Sequence, residues 1–238
     1  MLAAALVAAL LHGVAGAESP RITKAWLEEP TSRYGHDVLG GNEYAAMVVL
    51  VSENAMTAPI RVTLPPDRVF EDIEARLADL DGDGAPEIVV VEAGRDGGAQ
   101  LTVWALTDGA LTRISATPPI GRAFRWLAPA GIADFDGDGQ TDIAYVETPH
   151  LAGILRFWTL RDDALVEIAV PEPGFSNHRI GEDFITSHVR SCEGRPELLV
   201  PDRSWNTTLK IFLDQGRIIA QPVDAAPTAD FSKFACAQ

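Results

Sequence analysis

Asp79-Leu80-Asp81-Gly82-Asp83-Gly84-Ala85-Pro86-Glu87 returns 55 residues later as Asp134-Phe135-Asp136-Gly137-Asp138-Gly139-Gln140-Thr141-Asp142, and each copy runs into an apolar strand, Ile88 to Val91 and Ile143 to Val146. Carboxylates at positions 1, 3, 5 and 9 of a tightly turning loop, with glycine at position 6 to accept the sharp bend, can converge on one hard cation. Calcium suits such a set, because it takes about 6 to 8 oxygen ligands in flexible geometry, whereas magnesium requires a strict octahedron and keeps more of its water. The expected side-chain ligands are Asp79, Asp81, Asp83 and Glu87 in the first loop and Asp134, Asp136, Asp138 and Asp142 in the second. The position-7 carbonyls, of Ala85 and Gln140, complete the two expected sites.

The opening D-x-D-x-D-G also begins an EF-hand loop, and the residues that follow separate the two readings. An EF-hand needs a bidentate Glu at position 12. That position holds Val90 in one copy and Tyr145 in the other, each inside a β-rich run. A calcium loop joining two β-strands, closed by a side chain at position 9, is what remains.

From Ala78 to Val90 and from Ala133 to Tyr145 the chain resembles the FG-GAP/VCBS repeat family, the blades of integrin alpha-subunit propellers and of many bacterial secreted proteins. The acids, the glycines and the following apolar strand recur in register over two blades. The resemblance implies a β-propeller with calcium in its loops and a role in recognition or scaffolding.

A second hairpin follows each loop: Leu101 to Leu106, a turn at Asp108-Gly109, then Ala110 to Ile114; and Leu155 to Leu160, a turn at Asp162-Asp163, then Ala164 to Ile168. A third copy runs from Leu209 to Leu213, turns at Gln215-Gly216 and continues through Arg217 to Ile219, which puts Trp104, Trp158 and Phe212 at one repeated position expected in the core. The third unit keeps the frame and loses the acids: Val189-Arg190-Ser191-Cys192-Glu193-Gly194-Arg195-Pro196-Glu197 retains only Glu193 and Glu197, so no calcium is expected there. A shorter unit precedes the others, about Ala25 to Pro65, with Gly40-Gly41-Asn42-Glu43 ahead of the apolar run Ala45 to Val51. The fold expected is therefore all-β, a propeller of about four blades with calcium loops in the two central ones, behaving as one cooperative domain. A closed ring is the expectation, and an open arc completed by another chain is the alternative.

Residues 1–17 read as a secretory signal, with a short apolar core and the small-residue pattern Ala15-Gly16-Ala17, although no Lys or Arg stands in front of it. The propeller-like domain then spans 18–238. A membrane anchor needs about 20 apolar residues, and Glu18 interrupts too soon. A secreted or periplasmic location follows, where abundant calcium fills even weak loops. There Cys192 and Cys236 either pair, fastening the C-terminal tail to the last unit, or stay apart.

The net charge of −15 places eight acids in the two loops, and two bound calcium ions would bring the sum to about −11. No basic patch interrupts the rest, which argues against nucleic acid and anionic membranes as partners. The histidines His12, His36, His150, His178 and His188 are scattered, and His36-Asp37 and Asn177-His178 read as loop polarity. No nucleophile elbow, zinc-protease motif or phosphate loop is present. The function expected is binding, of a protein or a surface glycan, and not catalysis; an envelope hydrolase or lyase of polysaccharide using the propeller as scaffold is the alternative. Trp126 and Trp205 are the aromatic residues placed near loops where a ligand could stack.

Overall fold

Long apolar runs broken by polar turns give short antiparallel strands, and the computed structural model contains seventeen of them and no α-helix among the residues it describes, 19–41, 43–224, 226, 227, 231 and 236. The expected leader lies outside the described residues. The first unit is β1 (Arg21–Thr31), β2 (Glu43–Glu53) and β3 (Met56–Thr63). The second is β4 (Arg68–Phe70), β5 (Arg76–Ala78), β6 (Glu87–Gly94), β7 (Gly98–Thr107) and β8 (Ala110–Ala116). The third is β9 (Leu127–Ala133), β10 (Asp142–Glu147), β11 (Ile154–Arg161), β12 (Ala164–Glu167) and the short β13 (Glu172–Pro173). The fourth is β14 (His188–Cys192), β15 (Arg195–Pro201), β16 (Thr208–Asp214) and β17 (Arg217–Val223).

The four units form three sheets. Strand β4 pairs with β6 and also meets β2 at Tyr44↔Phe70, which fuses the first two units into one eight-stranded sheet. The third and fourth units form sheets of five and four strands. Five two-residue turns join neighbouring strands with positive φ at both central residues: Asn54-Ala55, Asp108-Gly109, Asp162-Asp163, Glu193-Gly194 and Gln215-Gly216. Turns of this mirror-image kind match the right-handed twist of the strands they connect.

Packing lies between units, which explains why the central strands are apolar on both faces. Side chains alternate across a strand. Ile88 and Val90 of β6 face a core shared with the first unit, around Met47, Val49 and Phe70, while Val89 and Val91 face one shared with the third unit, around Leu127, Ile143 and Tyr145. Likewise Ala144 and Val146 of β10 turn toward Leu198, Val200 and Ile211 of the fourth unit. Among the described residues no such cluster joins the fourth unit to the first, and the sheets are not closed by hydrogen bonding. Those two units meet through loops, where Gly181 N–H donates to Val38 O over 3.1 Å.

One expected core position moves. Trp104 pairs with Ile88 and Trp158 with Ile143, both tryptophans buried between units. In the fourth unit Leu198 pairs with Ile211, one residue short of Phe212. A shift of one residue turns a strand's side chains to the opposite face. Ile211 therefore takes the core position, and Phe212 is half-buried with the Arg195 guanidinium 5.6 Å from its ring centre.

Candidate functional site

The two acidic loops have the same internal wiring. Asp79 accepts from Gly82 N–H at 2.8 Å and Gly84 N–H at 3.0 Å; Asp134 accepts from Gly137 at 2.7 Å and Gly139 at 3.0 Å. Gly82, Gly84, Gly137 and Gly139 all have positive φ, which brings their N–H groups round to the first carboxylate. Asp81 and Asp136 accept from the backbone two residues on, at 3.0 and 3.1 Å, and Asp83 and Asp138 do the same with Ala85 N–H at 2.6 Å and Gln140 N–H at 2.8 Å. The position-9 carboxylates reach back across the loop, Glu87 to Leu80 N–H at 2.8 Å and Asp142 to Phe135 N–H at 2.9 Å. Leu80 and Phe135 are themselves buried in the cores toward the following unit, so each loop pins an apolar anchor.

In each loop three carboxylates stand close enough to share one ion. Oxygens of Asp79, Asp81 and Glu87 lie within 4.8 Å of one another, as do those of Asp134, Asp136 and Asp142. Asp83 and Asp138 stand outside these trios, and Asp138 is paired with Arg161 at 3.0 Å. Glu87 and Asp142 are buried, and burial, reinforced by the neighbouring aspartates, pushes their carboxyls up to about 7 and about 6. Asp142 Oδ1 is buried without a hydrogen-bond partner. An all-oxygen trio with an orphaned, desolvated carboxylate oxygen fits a hard divalent cation: the ion would supply the missing partner and hold the carboxylates ionised.

The aligned segment of the fourth unit is built differently. Glu193-Gly194 forms the tight turn between β14 and β15, and Glu197 is spent on Arg190 at 2.8 Å and Lys210 at 3.6 Å. Cys192 is bonded to Cys236, with Cα atoms 5.6 Å apart, which resolves the alternatives left open by the sequence.

A second constellation was not legible in the sequence. The loops at the opposite ends of the strands bring His36, His150 and His178 together around Trp126. His36 Nδ1 lies 2.6 Å from Glu71 Oε1, and Glu71 is only 1% exposed. Burial pushes the Glu71 carboxyl up to about 7, against the lowering effect of the His36 hydrogen bond. His150 Nε2 lies 3.0 Å from His178 Nδ1, and His178 Nε2 is 2.9 Å from Glu182 O. Burial, then the neighbouring His178, holds His150 down to about 4. Trp126, expected at a ligand-stacking loop, is buried; it donates to Glu71 O at 2.7 Å and stacks on His150. Trp205 is half-buried beneath the Arg179 guanidinium, 3.7 Å from its ring centre.

Residues 79–145 match the family model described as an FG-GAP-like repeat, a segment that holds both acidic loops and the strands between them. An all-β chain of antiparallel sheets carrying that repeat accords with a β-propeller architecture. No curated protein matches the chain.

Proposed function

We propose that the chain from Glu18 is a secreted or periplasmic β-propeller repeat protein of four units that binds calcium in its two central loops and recognises a protein or a surface glycan. The observation that carries the metal reading is the repeated trio of close carboxylates with the buried, partnerless Asp142 Oδ1. Asp79, Asp81 and Glu87 would hold one ion and Asp134, Asp136 and Asp142 the other, with the carbonyls of Ala85 and Gln140 and the carboxylates of Asp83 and Asp138 as further oxygens. Calcium here is structural, since it neutralises charges that otherwise oppose closing loops which anchor Leu80 and Phe135 in the inter-unit cores. The Cys192–Cys236 bond suits an oxidising compartment. No helix among the described residues is long and apolar enough to cross a membrane.

The enzyme alternative draws on the Glu71–His36 pair beside a cavity. Glycoside hydrolysis ordinarily takes two carboxyl groups flanking the bond, and the residues lining that cavity include no Asp or Glu. Binding is therefore the reading adopted. Calorimetric titration of chelator-treated protein tests the metal sites: two calcium ions per chain are expected, reduced to one by Asp136→Ala and to none by Asp81→Ala with Asp136→Ala. Absence of binding would remove the reading's physical basis.

A further inference from the structure

Beside the histidine cluster, away from the acidic loops, a cavity of about 250 Å³ opens to the surface. Val38, Phe124, Trp126, Pro149, Leu151 and Ile180 give it apolar walls. His36 and His150 are its imidazoles, and Thr148 and Arg125, whose guanidinium donates to Phe124 O at 2.8 Å, complete the lining. Three of the apolar residues are left in solvent at its rim: Ile180 is 72% exposed, Leu151 47% and Phe124 41%. Phe124 also has φ of 56°, a region that a bulky residue rarely enters, and it is held there by its N–H, which donates to the buried Tyr34 hydroxyl at 2.7 Å. Strain of this kind persists where surrounding structure enforces it and clusters at ligand sites. Here it brings an aromatic ring over a cavity, 5.6 Å from the His36 ring centre.

The polar atoms narrow what the cavity accepts. A backbone carbonyl can only accept, so the 2.9 Å contact between His178 Nε2 and Glu182 O places the His178 proton on Nε2. His178 Nδ1 then accepts from His150 Nε2–H at 3.0 Å, which makes Nδ1 the acceptor nitrogen of the neutral His150 ring. His36 has its Nδ1 engaged by Glu71, so Nε2 is the polar atom left to it. A ligand that donates a hydrogen bond from an otherwise apolar ring meets both demands. A pyranose, with hydroxyls all round, would meet Arg125, Thr148 and the imidazoles on one side but set its remaining hydroxyls against Val38, Pro149, Leu151 and Ile180, and burying unpaired hydroxyls is costly. The volume falls below the roughly 300 to 1,000 Å³ of drug-sized sites, which points to a single ring.

We infer that this cavity is a binding site for a small phenol, its ring lying among Phe124, Trp126, Leu151 and Ile180 and its hydroxyl donating to His150. His36, positioned by Glu71, stands as the second polar partner, and a hydroxyl can serve it as donor or acceptor.

The test is calorimetric titration of the whole chain, in buffer containing calcium, with phenol, toluene and methyl glucoside, supported by melting curves of each variant. Phenol is expected to bind at one site at least tenfold more tightly than toluene. His150→Leu should erase that difference while leaving toluene binding in place, which also shows that the cavity survives the substitution. Phe124→Gly removes the ring at a φ that glycine adopts freely, so it should weaken phenol at least tenfold with no loss of melting temperature. No saturable binding of phenol, toluene bound as tightly as phenol, methyl glucoside bound more tightly than phenol, or phenol binding indifferent to either substitution would each overturn the assignment.

Discussion

Without calcium, Glu87 and Asp142 should make stability fall as pH rises through the weakly acidic range, the reverse of ordinary acid denaturation and opposite in sign to the contribution of His150, whose imidazole is held down to about 4. Glu87 has its carboxyl raised from 4.5 to about 7 and Asp142 from 3.8 to about 6, in both cases chiefly by burial. Between the unfolded and folded values the folded chain binds more protons than the unfolded one, so raising the pH through that window removes stability. The contribution is fully present below about pH 4 and is lost by about pH 7. Each tenfold change in a carboxyl's proton affinity is worth about 1.4 kcal/mol, so each site costs the metal-free protein on the order of 3 kcal/mol at neutral pH, less whatever solvent at the open side of the loop screens. In a chain of this size that corresponds to roughly 6 to 12 °C of melting temperature per site. Bound calcium would hold the two carboxylates ionised and give Asp142 Oδ1 a partner, so the loaded protein should lose the part of the slope that Glu87 and Asp142 contribute, while the part from Glu71, raised by burial to about 7 away from the loops, stays in both conditions; calcium uptake below pH 7 should release protons. Melting curves from pH 4 to 8, with chelator and with excess calcium, measure the two slopes directly. Parallel profiles in the two conditions would sink this account, since the titrating groups could not then be the ones that meet the ion.

Three further outcomes follow from geometry elsewhere. Cys192→Ser opens a covalent loop whose ends are separated by 44 residues and should cost about 3 kcal/mol, read as a lower urea midpoint that matches the reduced wild type. A methyl at Gly40, where φ is +68°, would stand 2.4 Å from Gly181 O, so Gly40→Ala should lose about 1 to 3 kcal/mol in denaturant titration, whereas Gly41→Ala meets nothing and should be close to neutral. Glu92 is fully buried, accepting at 3.0 Å from Arg68 Nε and again from Arg113 Nη1; Glu92→Ala leaves the largely buried Arg68 without its carboxylate while the 41% exposed Arg113 can turn to solvent, and should cost about 3 kcal/mol by thermal melting.

What could be read from the sequence was what the chain encodes locally. The nonapeptides carry their acids and glycines within a single turn of backbone, and Asp108-Gly109, Asp162-Asp163 and Gln215-Gly216 announce hairpins by residue type. Asn54-Ala55 makes the same turn with an alanine at φ of 62°, a conformation its residue type does not signal. The position of Phe212 depended on pairing register, which the sequence does not fix where both faces of a strand are partly apolar. The histidine cluster was out of reach for a different reason. His36 and Glu71 are 35 residues apart and His150 and His178 are 28 apart, each on a loop whose position is set by which units stack on which.

The same stacking gives a physical reason for acidic trios in two units and not in the fourth. In the second, third and fourth units, positions 2 and 9 of the aligned segment are bonded to each other. Glu87 and Asp142 bind the backbone of Leu80 and Phe135, whose side chains enter the cores toward the third and fourth units. In the fourth unit position 2 is Arg190, and its guanidinium takes the position-9 Glu197. Among the described residues no apolar cluster runs from the strands of the fourth unit to those of the first, so an arginine there has no core of that kind to enter. A partly solvated ion pair of this kind holds its loop at little net cost. A buried carboxylate among aspartates does not, because its own charge opposes the burial of the anchor it carries. The acidic trio is thus the counterpart of an anchored inter-unit core, and the fourth unit has neither. Among the described residues the join between the last unit and the first includes the close glycine contact at Gly40 and Gly181, the Val38–Gly181 hydrogen bond and Ile185 packed against the cluster that holds Val38 and Leu39.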